Sequence, residues 1–192
     1  MVDDWNSLFV ERGMPHRCTV DRLNGNTTTC FLKELGLTSS EIDELVVVRK
    51  ERYLARIKAE QVEIYLGAQE LFPAIRANKL QLGLVTMCKR PILQIEAEKE
   101  PNLFKSFQVV LTGEAFPDKT TGYMQCAEFL RVTPATMVVL EDGVRGAKSA
   151  RQAGCSVITV THTTPRELLL PYSDVVVDTL SEVATVLNLA TS

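Results

Sequence analysis

The 192-residue chain carries 21 basic and 24 acidic residues for a net charge of −3, and 45% of its residues are hydrophobic. This suits one soluble domain with room for a small appendage and offers no basic surface to a nucleic acid. No apolar run approaches the roughly 18 residues of a membrane span, the acidic start Met1-Val2-Asp3-Asp4 is no signal peptide, and five scattered cysteines make neither a disulfide framework nor a Cys-x-x-Cys site, so a cytoplasmic protein with reduced thiols is expected.

The chain opens on a helix-like segment, Trp5-Asn6-Ser7-Leu8-Phe9. Further on, Thr38 and Ser40 with Glu41 and Asp43 form overlapping capping boxes that lead into residues 42–57, a stretch without Gly or Pro that predicts a helix. Residues 1 to about 65 therefore read as a helical subdomain, and residues 66–192 as a second unit. In that second unit, short apolar runs at 80–86, 109–112, 137–140, 157–160 and 175–177 alternate with helical segments. Alternation of this kind predicts βαβ units and a parallel sheet. Thr164-Pro165-Arg166-Glu167 predicts a helix capped by Thr164 with proline in its first turn, and Thr179 with Glu182 predicts a capping box before the last helix.

In an open α/β sheet, ligands bind where strands hand over to helices, so the strand ends are the places to look for chemistry. The first run ends at Thr86, followed by Lys89; the Thr86 hydroxyl is either a phosphate donor or an ordinary strand terminator and helix cap. The second run leads through Phe116-Pro117-Asp118-Lys119 to an amphipathic helix over 122–130, and Lys119 taken alone reads as a solvated loop charge. The third run ends in the adjacent acids Glu141 and Asp142 before Gly143. Two acids at the end of a buried strand are costly to desolvate unless a cation or donors compensate them, and hard oxygen ligands suit Mg²⁺. The plainer alternative has Asp142 capping the next helix and Glu141 solvated.

Taken together, the motifs resemble the haloacid dehalogenase-like (HAD) hydrolase superfamily, in its β-phosphoglucomutase-like branch of phosphatases and phosphomutases. Residues 138–154, running from Val138-Val139-Leu140-Glu141-Asp142-Gly143 to Gly154, resemble the family's fourth motif, in which an acidic pair holds Mg²⁺. Residues 82–86 are similar to the second motif, whose hydroxyl binds the transferring phosphoryl group, and Tyr65-Leu66-Gly67-Ala68-Gln69-Glu70-Leu71 resembles the segment ahead of it. The resemblance implies an α/β fold, a Rossmannoid three-layer parallel sheet with a small N-terminal helical cap. It also implies Mg²⁺ as cofactor on Glu141 and Asp142, Thr86 and Lys119 on the phosphoryl oxygens, and a small phosphorylated metabolite such as a sugar phosphate as substrate. Arg17, Arg22, Asn24 and Lys33 lie in the cap region where substrate groups are read, or are simply its solvated surface; His16 and His162 have no spacing partner and read as surface or packing residues.

Two departures qualify the resemblance. The family's first motif, a strand ending Asp-x-Asp-Gly-Thr that supplies the nucleophile and the general acid and base, does not occur in the sequence, and Asp3-Asp4 is no substitute. The Lys-Pro-x-Pro signature of the third motif is also altered: Lys119 lies four residues before Tyr123, and Pro117 precedes it. The expected consequences are weak or absent catalysis by this polypeptide, through an aspartyl-phosphate route if the strand were supplied. A second expectation is a sheet left with two inward-facing edges where that strand belongs, between the strand ending at Thr86 and the one ending at Leu140. A non-catalytic binding or interaction protein is the competing class. A receiver-like domain shares the sheet type but does not explain the cap.

Overall fold

Trp5, Leu8 and Phe9 recur at helical spacing, and a helix that carries them must bury that face. The computed structural model, which describes residues 2–19, 28–59 and 64–189, places them on α1 (Val2–Glu11), fully buried. They pack with Phe31 and Leu32 of α2 (Thr28–Glu34) and with Ile42 and Leu45 of α3 (Ser39–Ala59). Each large side chain buried this way contributes about 1.5–3 kcal/mol. The Trp5 and Phe9 rings stack at 5.9 Å, and His16 lies edge-on to Phe9 at 5.7 Å, a packing position. At the head of α3 one of the two expected capping boxes forms: the Thr38 backbone N–H donates to Glu41 Oε2 at 2.8 Å and the Glu41 N–H to Thr38 Oγ1 at 3.4 Å, whereas Ser40 lies inside the helix and does not cap it. Arg22 and Asn24 lie outside the described residues, while Arg17 and Lys33 are exposed.

The chain divides into two compact units, Met1–Glu60 and Gln61–Ser192. The second unit contains α4 (Ala68–Ala77), β1 (Gly83–Val85), α5 (Arg90–Lys99), α6 (Pro101–Phe104), β2 (Val109–Leu111) and α7 (Lys119–Leu130). It continues with β3 (Val138–Glu141), α8 (Val144–Gln152), β4 (Ser156–Val160), α9 (Arg166–Leu169), β5 (Val175–Val177) and α10 (Leu180–Val186). Each strand falls on one of the β-branched apolar runs. All the pairings are parallel: β1 with β2, β3 with β4, and β4 with β5. Both faces of the strands are covered, as parallel strands require. One face packs Leu82, Leu140, Ile158 and Val160 against Leu71 and Ile75 of α4 and Leu180 and Val183 of α10. The other packs Val85, Val139 and Val157 against Tyr123 of α7 and Ala147 and Ala150 of α8.

The ladders form two separate sheets, β1-β2 and β3-β4-β5, and among the described residues none joins β1 to β3. Two local expectations need correction. Thr164 does not cap α9: Pro165 holds the cap position without a side-chain bond, and Thr164 is buried. The helix expected from residue 122 begins at Lys119, because Asp118 caps it, accepting the Thr121 N–H at 2.9 Å. The Thr179–Glu182 capping box is present.

Candidate active site

Side chains alternate along a strand, so Glu141 leaves β3 on the same face as Val139, toward α7. Lys119 and Tyr123 stand one turn apart on α7 and therefore share a face. These two facts bring three side chains together. Lys119 Nζ pairs with Glu141 Oε1, and the Tyr123 hydroxyl donates to the same oxygen. Glu141 is 9% exposed and Lys119 23%. A carboxylate so withdrawn from water needs such partners. Burial, and then the Glu141 charge, push the Tyr123 phenol far above its ordinary range, so it remains a neutral donor. The floor of the arrangement is Gly146 on α8, where an added Cβ would lie 2.1 Å from the Glu141 carboxyl carbon.

Asp142 points elsewhere. Its carboxylate is exposed, and Thr163 Oγ1, from the loop after β4, donates to its Oδ2 at 2.8 Å and to its backbone oxygen at 3.0 Å. The cap position of α8 belongs to Gly143, with no side-chain bond. The plainer alternative, Asp142 as cap and Glu141 in solvent, is therefore incorrect, as is Lys119 as a solvated loop charge.

Thr86 follows β1. Its N–H donates to Leu111 O at 3.0 Å, and its hydroxyl accepts the Cys88 N–H at 3.0 Å, so it closes a local turn rather than capping α5, whose cap position is Lys89. That turn is pinned to the one after β2 by the Gly113 N–H, which donates to Cys88 O at 3.1 Å. The first turn of α7 spans both strand ends: Gly122 sits where a Cβ would meet Val85 at 2.8 Å, and the next residue, Tyr123, reaches Glu141. Thr86, Lys119 and the acidic pair thus gather at the carboxyl ends of β1 and β3. Among the described residues no group of three or more His, Cys, Asp or Glu side chains is placed to hold a metal ion. His162 stacks on Tyr65 at 4.0 Å, a packing position. Sequence reasoning missed Thr163, Gly146 and the role of Tyr123; of these, only Tyr123 carried a signal, its four-residue spacing from Lys119.

The family model for haloacid dehalogenase-like hydrolases matches residues 2–160. The chain belongs to that family. Among curated relatives it is 26% identical over 161 residues to Protein CbbY of Rhodobacter capsulatus, an alignment covering 81% of this chain and 67% of that protein. It is 24% identical over 160 residues to hexitol phosphatase A of Escherichia coli, covering 81% and 73%. Solved structures agree in fold. A haloacid dehalogenase-like hydrolase of Streptococcus pneumoniae superposes with a TM-score of 0.80 at 18% identity, over 96% of this chain and 89% of its own. CbbY of Rhodobacter sphaeroides, in complex with xylulose-(1,5)bisphosphate, does so with a TM-score of 0.77 at 18% identity, over 94% and 87%. The three-layer α/β Rossmannoid architecture expected from the sequence is thereby established.

Proposed function

We propose that this protein binds the phosphoryl group of a small phosphorylated metabolite, a sugar phosphate by analogy with its relatives, at the carboxyl ends of β1 and β3, as the binding part of a Mg²⁺-dependent phosphatase site. The observation that carries this reading is the ammonium of Lys119, held at the end of β3 by Glu141 and Tyr123, on the helix whose Gly122 abuts Val85 at the end of β1. A cation fixed in place with little exposure needs no reorganisation to meet an anion. Thr86 would donate its hydroxyl to a phosphoryl oxygen, and the turn after it would offer backbone N–H groups.

The donor set fits Mg²⁺ of the kind held through one or two carboxylates plus water and phosphate oxygens. Asp142 is the exposed hard donor, oriented by Thr163, with Glu141 assisting from beside Lys119. Bound there, the ion neutralises charge on the phosphate. An attacking carboxylate of the Asp-x-Asp type has no counterpart in the sequence, so hydrolysis by this polypeptide is proposed to be weak, and a non-catalytic phosphoryl-binding role is the competing reading. A cytoplasmic location is consistent with metabolite binding.

Hydrolysis of p-nitrophenyl phosphate and calorimetric binding of inorganic phosphate, each with and without Mg²⁺, test the proposal. Expected are saturable phosphate binding that Asp142→Ala weakens about tenfold or more, and turnover near background. Robust turnover abolished by Asp142→Ala would overturn the weak-catalysis reading, and absence of phosphate binding would overturn the site.

A further inference from the structure

The turn that follows Thr86 leads through Lys89 and Arg90 into α5, so a helix N-terminus and two basic residues lie next in the chain to the strand end. Such a helix end attracts anions through its unpaired N–H groups and its dipole. Lys89 and Arg90 are both exposed, and their charges reinforce that attraction. Most donors of the first turn are nonetheless accounted for locally. Pro91 has no N–H, and the N–H groups of Ile92 and Leu93 turn back to Lys89 O at 3.0 and 3.2 Å. Of the first four residues of α5, Arg90 is the one whose N–H is left for a partner outside the helix.

That partner is Glu114, from the turn after β2. Its two carboxylate oxygens each accept the Arg90 N–H at 3.2 Å. Backbone bonds set the approach: the Gly113 N–H donates to Cys88 O at 3.1 Å, and the Ala115 N–H to Thr112 O at 2.8 Å. Glu114 is exposed and therefore ionised at neutral pH. It does for α5 what a bound anion does at other helix N-termini.

We propose that Glu114 is a specificity-determining residue: its carboxylate holds the anion position at the N-terminus of α5, so the strand-end site takes a ligand with one phosphoryl group and excludes one that presents a second there. This rests on the phosphoryl-binding reading above and adds the charge of the ligand to it. Arg90 lies four residues beyond Thr86, at most about 14 Å of extended chain and less through the turn that the Thr86–Cys88 bond closes. The two phosphoryl groups of one small metabolite can span that separation. A second group would have to displace an ionised side chain from its donor or lie against its charge, and both weaken binding.

Calorimetry of the wild type and of Glu114→Gln with inorganic phosphate and with fructose 1,6-bisphosphate, each with Mg²⁺ and followed in parallel by ¹⁵N amide shifts, tests this. Gln keeps an oxygen for the Arg90 N–H and removes only the charge. In the wild type the bisphosphate should bind no more tightly than phosphate and leave the Arg90 amide unshifted. The variant should bind the bisphosphate about fivefold or more tightly than the wild type does and show a shift at Arg90, with less than about a twofold change for phosphate. The ratio between the two proteins should fall toward one in about 1 M salt, where the screening length is about 3 Å; a purely structural effect of the substitution would persist. An unchanged bisphosphate affinity in the variant, a gain that survives high salt, or an Arg90 shift in the wild type would overturn the role of Glu114 while phosphate binding stands. If neither protein binds phosphate, the strand-end site itself fails and this role falls with it.

Discussion

Glu141 takes its role from three neighbours. With Lys119, Tyr123 and Gly146 around it, its carboxylate serves first to hold a lysine, and Asp142 is the acid left facing outward. Lys119→Ala leaves a withdrawn carboxylate with neutral donors only, the Tyr123 hydroxyl and the Asp142 N–H at 3.4 Å, which should cost about 1–3 kcal/mol in urea unfolding of the second unit. Because an apolar pair of similar volume can replace a withdrawn ion pair with little loss, Lys119→Met combined with Glu141→Leu should regain most of that stability while abolishing phosphate binding. A double variant no more stable than Lys119→Ala would contradict the assignment. Gly146→Ala adds a different test. The group its Cβ meets is the end of a side chain, so the expected result is a displaced Glu141 and weaker phosphate binding, with a stability loss of at most about 1–2 kcal/mol.

At the scale of elements, the turns after β1 and β2 depend on close backbone approach. A Cβ at Gly113 would lie 2.5 Å from the Met87 carbonyl oxygen, and neither partner is a flexible side chain. Gly113→Ala should therefore lower stability by about 1–3 kcal/mol and loosen the Thr86 turn, read as a lower urea midpoint together with faster exchange at the Cys88 amide. The elements themselves were legible because local rules produce them: β-branched runs became β1 to β5, and Thr38 with Glu41 and Thr179 with Glu182 formed their boxes. Where two local rules competed, the sequence misled. Thr164 matched a cap pattern, but Pro165 took the position and the hydroxyl was buried instead. The identities of Thr86, Lys119 and the acidic pair came from motif resemblance. Their actual partners did not, because the pairs Lys119 with Glu141 and Thr163 with Asp142 join residues 22 and 21 positions apart, a separation that no local spacing rule reaches.

At the scale of the whole molecule, carboxylates link stability to acid. The Val157 N–H and the Arg151 guanidinium hold the Asp174 carboxyl below its ordinary range, and Arg166 with Thr161 does the same for Asp178. A depressed carboxyl contributes stability above its unfolded-state pKa, and that contribution is lost as pH falls through its folded-state value. The urea midpoint should therefore hold steady near neutrality and fall below about pH 4, with a shallower fall in Asp174→Asn. A steady midpoint down to pH 3 would contradict these bonds. The site stands on the same framework: a split parallel sheet, covered on both faces, whose strand ends meet under one helix N-terminus. The most direct test is a titration of the ¹⁵N-labelled chain with inorganic phosphate and Mg²⁺, followed by amide shifts. Saturable shifts confined to Thr86 through Lys89, the first turn of α7 and Asp142 through Val144 are predicted. Shifts centred on the N-terminal unit, or no saturable change at the strand ends, would contradict the account.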